Sequence, residues 1–195
     1  MEVRMLNMEA MKIRESENGN PIIEGYFAKF NEFYEICSGW KEKISPGAFD
    51  ECLASSDEIK VLWNHDSNIV LGSRSNGTAV FYCDEIGLYG TVEINKQDSD
   101  AMNALARIKR RDVTGCSFGF DIKTKERTEE EDGTIVDDIK VVLPLYEVSP
   151  CTFPAYKNTE IHARNKQTLL DYQNEKRENF KAWKKTILNK IKGEK

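Results

Sequence analysis

Three residues in this sequence have side chains and neighbours suited to proton transfer or nucleophilic attack. His65 stands in Trp63-Asn64-His65-Asp66-Ser67, at the end of an alternating apolar run where the chain turns polar. A strand can hold such an imidazole rigidly beside a cleft, as a general base requires. A hydrogen-bonded structural histidine is the more ordinary reading of the same five residues. Ser117 stands in Thr114-Gly115-Cys116-Ser117-Phe118-Gly119-Phe120, a small nucleophile among glycines and large aromatics. The glycines let a substrate backbone come close, and free N–H groups in such a stretch could hold an oxyanion. The alternative is a strand with a glycine bulge whose phenylalanines pack one face. Glu147 stands in Leu145-Tyr146-Glu147-Val148-Ser149-Pro150, a stretch otherwise apolar on both sides. Burying an isolated carboxylate is very costly, so Glu147 reaches solvent or finds a partner. That partner is either a histidine whose Nδ1–H it accepts, as in a catalytic triad, or a basic residue in a plain ion pair.

Strand alternation sends Cys116 and Ser117 to opposite faces, so only one of them can share a face with His65. Other chemistries find less support. No G-x-x-x-x-G-K-[ST] or G-x-G-x-x-G phosphate loop occurs. The five cysteines (Cys37, Cys52, Cys83, Cys116, Cys151) lie at wide, irregular intervals, with no C-x-x-C pair and only two histidines in the chain. That spacing suits neither a structural zinc site nor a disulfide framework, and buried thiols are expected. No metal or organic cofactor is expected. The basic run 107–111 reads as cations at a helix C-terminus rather than a nucleic-acid contact.

The elements that must position these residues read mostly as β. Strands are expected at 21–30, 58–63, 78–83, 87–94, 113–124, 135–143 and 146–153, with turn chemistry at Asn76-Gly77, Glu85-Ile86-Gly87 and Glu131-Asp132-Gly133. A short helix is expected over 47–54, opened by Ser45-Pro46. A longer one is expected over 99–110, with Ala101, Ala104, Leu105 and Ile108 on one face and Asp98 and Asp100 at its positive end. The charged segment 126–132 reads as a solvated hairpin tip. Many short strands with few helices predict a mainly β (α+β) fold, an antiparallel β-barrel with a few flanking helices.

With 195 residues, 39% of them hydrophobic and 31% charged, and a mean hydropathy of −0.58, the chain can bury a core and is neither disordered nor membrane-spanning in composition. The first nine residues lack the basic cap and apolar stretch of a signal peptide, so a cytosolic protein is expected. The net charge of −5 is unevenly placed. Residues 165–195 hold nine Lys and Arg against four Asp and Glu, a net of +5, which leaves 19 minus 29, or −10, for residues 1–164. Two units are expected, an acidic body 1–164 and a basic tail 165–195 whose Phe180, Trp183, Ile187 and Ile191 line one face of an amphipathic helix.

Five blocks occur in order along the body: Gly25-Tyr26-Phe27-Ala28-Lys29-Phe30-Asn31, Glu42-Lys43-Ile44-Ser45-Pro46-Gly47-Ala48-Phe49, Leu62-Trp63-Asn64-His65-Asp66, Ser117-Phe118-Gly119-Phe120, and Tyr146-Glu147-Val148-Ser149-Pro150-Cys151-Thr152-Phe153-Pro154-Ala155-Tyr156. Together, over residues 13–164, they resemble the prohead maturation proteases of tailed bacteriophages, a family similar to herpesvirus assembly proteases. The resemblance implies a serine endopeptidase on an assemblin-like β-barrel, with His65 as base and Ser117 as nucleophile. Glu147 is taken as the third member, because His162, the other histidine, lies outside the matching blocks. The resemblance further implies the phage major capsid protein and the scaffold protein as substrates, cleavage of the protease by itself, and a place inside the immature capsid in the host cytoplasm. Neither nucleic acid nor membrane is an expected partner, and self-association into a homo-oligomer is left open. Cys116 stands where the family often has a larger apolar residue such as methionine. It keeps open a cysteine peptidase built on Cys116 and His65, and a catalytically inactive capsid-assembly component is the other alternative.

Overall fold

The computed structural model describes residues 2–7, 11–152 and 159–193, with the side chains of 11–152 and 167–185. Along the chain run β1 (Glu2–Asn7), β2 (Lys12–Glu15), β3 (Pro21–Lys29), β4 (Tyr34–Cys37), β5 (Trp40–Ile44), α1 (Asp50–Ala54), β6 (Lys60–Trp63), β7 (Asp66–Ser73), β8 (Ala79–Cys83), β9 (Gly87–Glu93), α2 (Ser99–Arg110), β10 (Gly115–Glu129), β11 (Ile135–Cys151) and α3 (Thr159–Gly193). The mainly β expectation is met, but the closed antiparallel barrel is not. The described strands divide into a seven-stranded sheet, β1-β10-β11-β5-β4 with β6 beside β11 and β7 beside β6, and a four-stranded sheet, β2-β3-β9-β8.

The reason for the departure lies in β11. Its first part, Ile135–Ile139, runs parallel to β5, and Glu147 and Val148 run parallel to Lys60 and Val61 of β6. Parallel neighbours require long crossovers, which a reading built from successive hairpins does not anticipate. β11 was also expected as two strands broken near Pro144. It continues through Pro144 because the opposing β10 ladder already shifts register between Gly119 and Lys125. A residue without an N–H is tolerated where the pairing is irregular.

Phe27, Phe49, Phe118 and Phe120 are fully buried in the main core, with Phe118 stacked on Phe120 at 4.9 Å and edge-on to Phe49 at 6.1 Å. Gly90 gives Phe27 its space, since a Cβ there would lie 2.6 Å from the ring. α2 covers the span that its spacing predicts. Ala101, Ala104, Leu105 and Ile108 are buried, and the Asp98 side chain accepts from the N–H groups of Asp100 and Ala101 at 2.9 and 3.2 Å. Such a cap is worth about 1 kcal/mol. α1 starts later than expected, at Asp50, because the Ser45 hydroxyl donates to Asp138 at 2.6 Å instead of capping it. α3 crosses the expected boundary between 164 and 165, and its Leu169 is buried against Ile36, Cys37, Trp40 and Ile135.

Candidate active site

β6 leads directly into the site. The pairing of Trp63 with Asp66 leaves Asn64 and His65 as a two-residue loop, with φ of +52° and +63°. Positive φ at both positions is the type I′ geometry that suits the twist of a hairpin and ordinarily calls for Asn-Gly. Asparagine tolerates it, whereas histidine in this region costs about 1 kcal/mol. His65 was expected at a strand end; it occupies this strained turn instead, and the strain is offset by anchors on β11. The Asn64 N–H donates to the Pro150 carbonyl at 3.1 Å, and the His65 N–H donates to Ser149 Oγ at 3.2 Å. The Asn64 side chain accepts from the Thr152 N–H at 2.8 Å and donates to Thr152 Oγ1 at 3.2 Å.

The turn folds the imidazole back over β11. His65 Nδ1 lies 2.7 Å from Glu147 Oε1, and Ser149 Oγ donates to Glu147 Oε2 at 2.5 Å. Glu147 is 5% exposed and Ser149 is fully buried. Opposite an ionised carboxylate, which can only accept, a neutral imidazole carries its proton on Nδ1 and keeps the lone pair on Nε2. Nε2 is buried and makes no hydrogen bond.

Ser117 reaches this face through the β10–β11 ladder. It is the direct cross-strand partner of Ser149, and Gly119 is that of Glu147, so Ser117, Ser149 and Glu147 point to one side. Cys116 and Phe118 point to the other, into the main core. Burial pushes the Cys116 thiol well above its ordinary value, with Cys151 adding to the effect, and burial likewise pushes Cys151 up to about 12. Ser117 is itself 0% exposed. The N–H groups expected to be free around it belong to a strand paired on both edges, by β11 and by β1, where Met5 is opposite Ser117. The glycine irregularity is also present, as a register shift after Gly119.

The structure thus brings His65 and Glu147 into direct contact and sets Ser117 on their face, one strand away. His162 lies on α3 with its side chain outside the described residues, and residues 153–156 of the last sequence block are themselves outside them. Asp66 is turned away, its Oδ1 accepting from the Asn68 N–H and Nδ2 at 2.9 and 2.8 Å. Sequence reasoning passed over Ser149, Asn64 and Thr152. Alternation alone puts Ser149 on the face of Glu147, two residues away; the roles of Asn64 and Thr152 needed the fold. An open cleft of about 500 Å³ lies beside the turn, lined by Trp63, Asn64, Asn103, Arg107, Val113 and Thr152. Among the described residues no group of three or more His, Cys, Asp or Glu could hold a metal ion, and no helix is long and apolar enough to cross a membrane.

The capsid assembly protease gp21 of bacteriophage T4 is similar in structure, with 13% identity and a TM-score of 0.43 over 77% of this chain and 99% of that one. No curated protein sequence matches. The family described as caudovirus prohead serine protease matches residues 8–173, from before β2 into α3 beyond Leu169. On that match the chain belongs to the caudovirus prohead serine protease family.

Proposed function

We propose that this chain is the maturation endopeptidase of a phage prohead, acting inside the immature capsid in the host cytoplasm, where it cleaves scaffold protein, scaffold-like segments of the capsid protein, and itself. Ser117 Oγ attacks the scissile carbonyl as its proton passes to His65 Nε2, forming a tetrahedral intermediate that becomes the acyl-enzyme once the leaving amine departs. The imidazolium returns that proton to the leaving amine as the C–N bond breaks, and water then releases the acyl group by the same exchange. Glu147 holds the Nδ1 proton and stabilises the imidazolium.

The observation that carries the reading is the 2.7 Å pairing of His65 Nδ1 with buried Glu147, which leaves Nε2 without a partner on the face that Ser117 shares. Family membership supports a serine peptidase. Because Ser117 is fully buried, a substrate carbonyl reaches it only after neighbouring chain moves aside. The cysteine alternative is disfavoured by the position of Cys116 in the core with its thiol pushed up.

The test is incubation with the cognate capsid and scaffold proteins followed by mass analysis of the fragments. The native chain is expected to cut both and Ser117→Ala neither, at unchanged thermal stability. Cleavage by Ser117→Ala that disappears in Cys116→Ala would transfer the reaction to the thiol.

A further inference from the structure

We infer that Ser149 is a positioning residue of this site, one that fixes both the acid and the base of the triad without touching the reacting atoms. The inference rests on the serine-protease reading above. A serine hydroxyl has one proton to donate and two lone pairs to accept with. Ser149 spends its proton on Glu147 Oε2 at 2.5 Å and one lone pair on the His65 backbone N–H at 3.2 Å. Glu147 is thereby held from both oxygens, by His65 Nδ1 on Oε1 and Ser149 on Oε2, and cannot rotate about its last torsion without losing one of them. The same hydroxyl secures the N–H of a histidine in the left-handed region, where the turn has least intrinsic stability. Ser149 is 0% exposed, so water cannot readily replace it.

Two consequences separate this role from mere packing. A hydrogen bond to Oε2 draws negative charge away from Oε1. Removing it concentrates the charge opposite Nδ1, so the imidazolium is favoured and His65 holds its proton to higher pH. The loosened imidazole also meets Ser117 less often in the geometry for proton transfer, which lowers reactivity without altering substrate affinity. Among the described residues, the other titratable neighbour of Glu147 is the buried Cys151 thiol, whose titration burial and then Glu147 push up. Asp66, on its own hairpin, is engaged by Asn68, and across the cleft α2 and its end supply Arg107, Asp100 and Asp112, the last paired with Arg110.

The test uses the full chain with ¹³C-labelled histidine and a fluorophosphonate probe. In the probe reaction the Ser117 Oγ–P bond forms and fluoride leaves while His65 takes the serine proton. Two imidazole signals are expected, since the chain has two histidines, and the one lost in His65→Gln is His65. In Ser149→Ala the His65 titration should move up by about half to one pH unit, a fraction of the worth of a hydrogen bond to a charged group, because the effect reaches the ring through Glu147. Labelling of Ser117, located by mass spectrometry, should slow about 10- to 100-fold, part of what a well-placed general base contributes. Ser149→Thr, which keeps the hydroxyl, should restore both. If Ser149→Ala does not fold, Ser149→Cys keeps the volume with a weaker donor and should give the same upward shift. A folded Ser149→Ala or Ser149→Cys with the native His65 titration and native labelling rate overturns the proposal. Absence of Ser117 labelling in the native chain overturns the serine-protease reading instead, and the titration still decides the role of Ser149.

Discussion

The β10–β11 hairpin buries a carboxylate toward each end, and the two are held in opposite ways. Asp137, fully buried near the tip, accepts from Arg127 Nε and Nη2 at 2.6 and 2.7 Å, from Lys125 at 2.7 Å and from Trp40 Nε1 at 3.2 Å. The Arg127 guanidinium is sandwiched between the Trp40 and Tyr172 rings, at 5.1 and 4.9 Å, which ties α3 to the sheet. Burial pushes the Asp137 carboxyl up, but the hydrogen bonds and charges of Arg127 and Lys125 outweigh it and hold the group below its ordinary value. Glu147, ten residues further along β11, meets no such permanent cation among the described residues; it is held by an imidazole and a hydroxyl. The first arrangement has every acceptor filled by groups that keep their protons near neutrality, so it can only hold the fold together. The second includes an imidazole, a ring able to donate or accept at either nitrogen, with Nε2 unspent. A buried acid therefore says little about function until its partners are known. The plain ion pair that the sequence allowed for Glu147 exists in this molecule, at Asp137.

The comparison is sharpest when the same change is made at both ends. Glu147→Gln keeps the shape, removes the charge and turns an amide toward Nδ1; kcat should fall about a thousandfold or more while thermal stability stays near native. A native kcat would move the third triad role away from Glu147.

Asp137→Asn should do the reverse, leaving kcat per folded molecule unchanged and lowering stability in urea. The loss is about 2 kcal/mol, below that of a fully buried pair because the Arg127 and Lys125 side chains keep 25% and 36% exposure. The effect has a pH signature. A carboxyl held below its ordinary value contributes in full above pH about 3.8 and loses that contribution as pH falls through its lower folded value. The urea midpoint of the native chain should therefore fall with acidification in that window more steeply than that of Asp137→Asn.

A similar contrast runs along α3. Leu169→Ala should destabilise by about 2 kcal/mol, because Leu169 packs on the sheet. Phe180 and Trp183, stacked on one another at 5.7 Å but 60% and 59% exposed, should each be replaceable by Ala within about 0.5 kcal/mol. Equal losses at 169 and 183 would extend the folded unit along the whole helix, whereas the expected difference ends it near Lys176, which pairs with Glu129. The smallest effect is expected at Cys116. Cys116→Ala should leave cleavage near native, and alkylation of the folded chain should be slow because burial keeps the thiol protonated.

What the sequence determined by itself was local. The 3.6-residue period of 99–110 gives α2 its buried face, and the two-residue period around 116–118 separates Cys116 from Ser117, because both periods follow from the geometry of a single chain segment. The charged segment 126–132 shows the limit of that reading. Its turn is solvated, but Arg127 is drawn back to a buried Asp137 that no local pattern marks as its partner. The residues left a histidine as one of two partners for Glu147; the parallel register of β6 against β11 is what brings His65 to it, 82 positions away in the chain. Tertiary structure also replaced the expected barrel with two sheets and placed Ser149 between acid and base. Register between strands distant in sequence is set by which side chains the whole core can bury together, and no window of neighbouring residues contains that information.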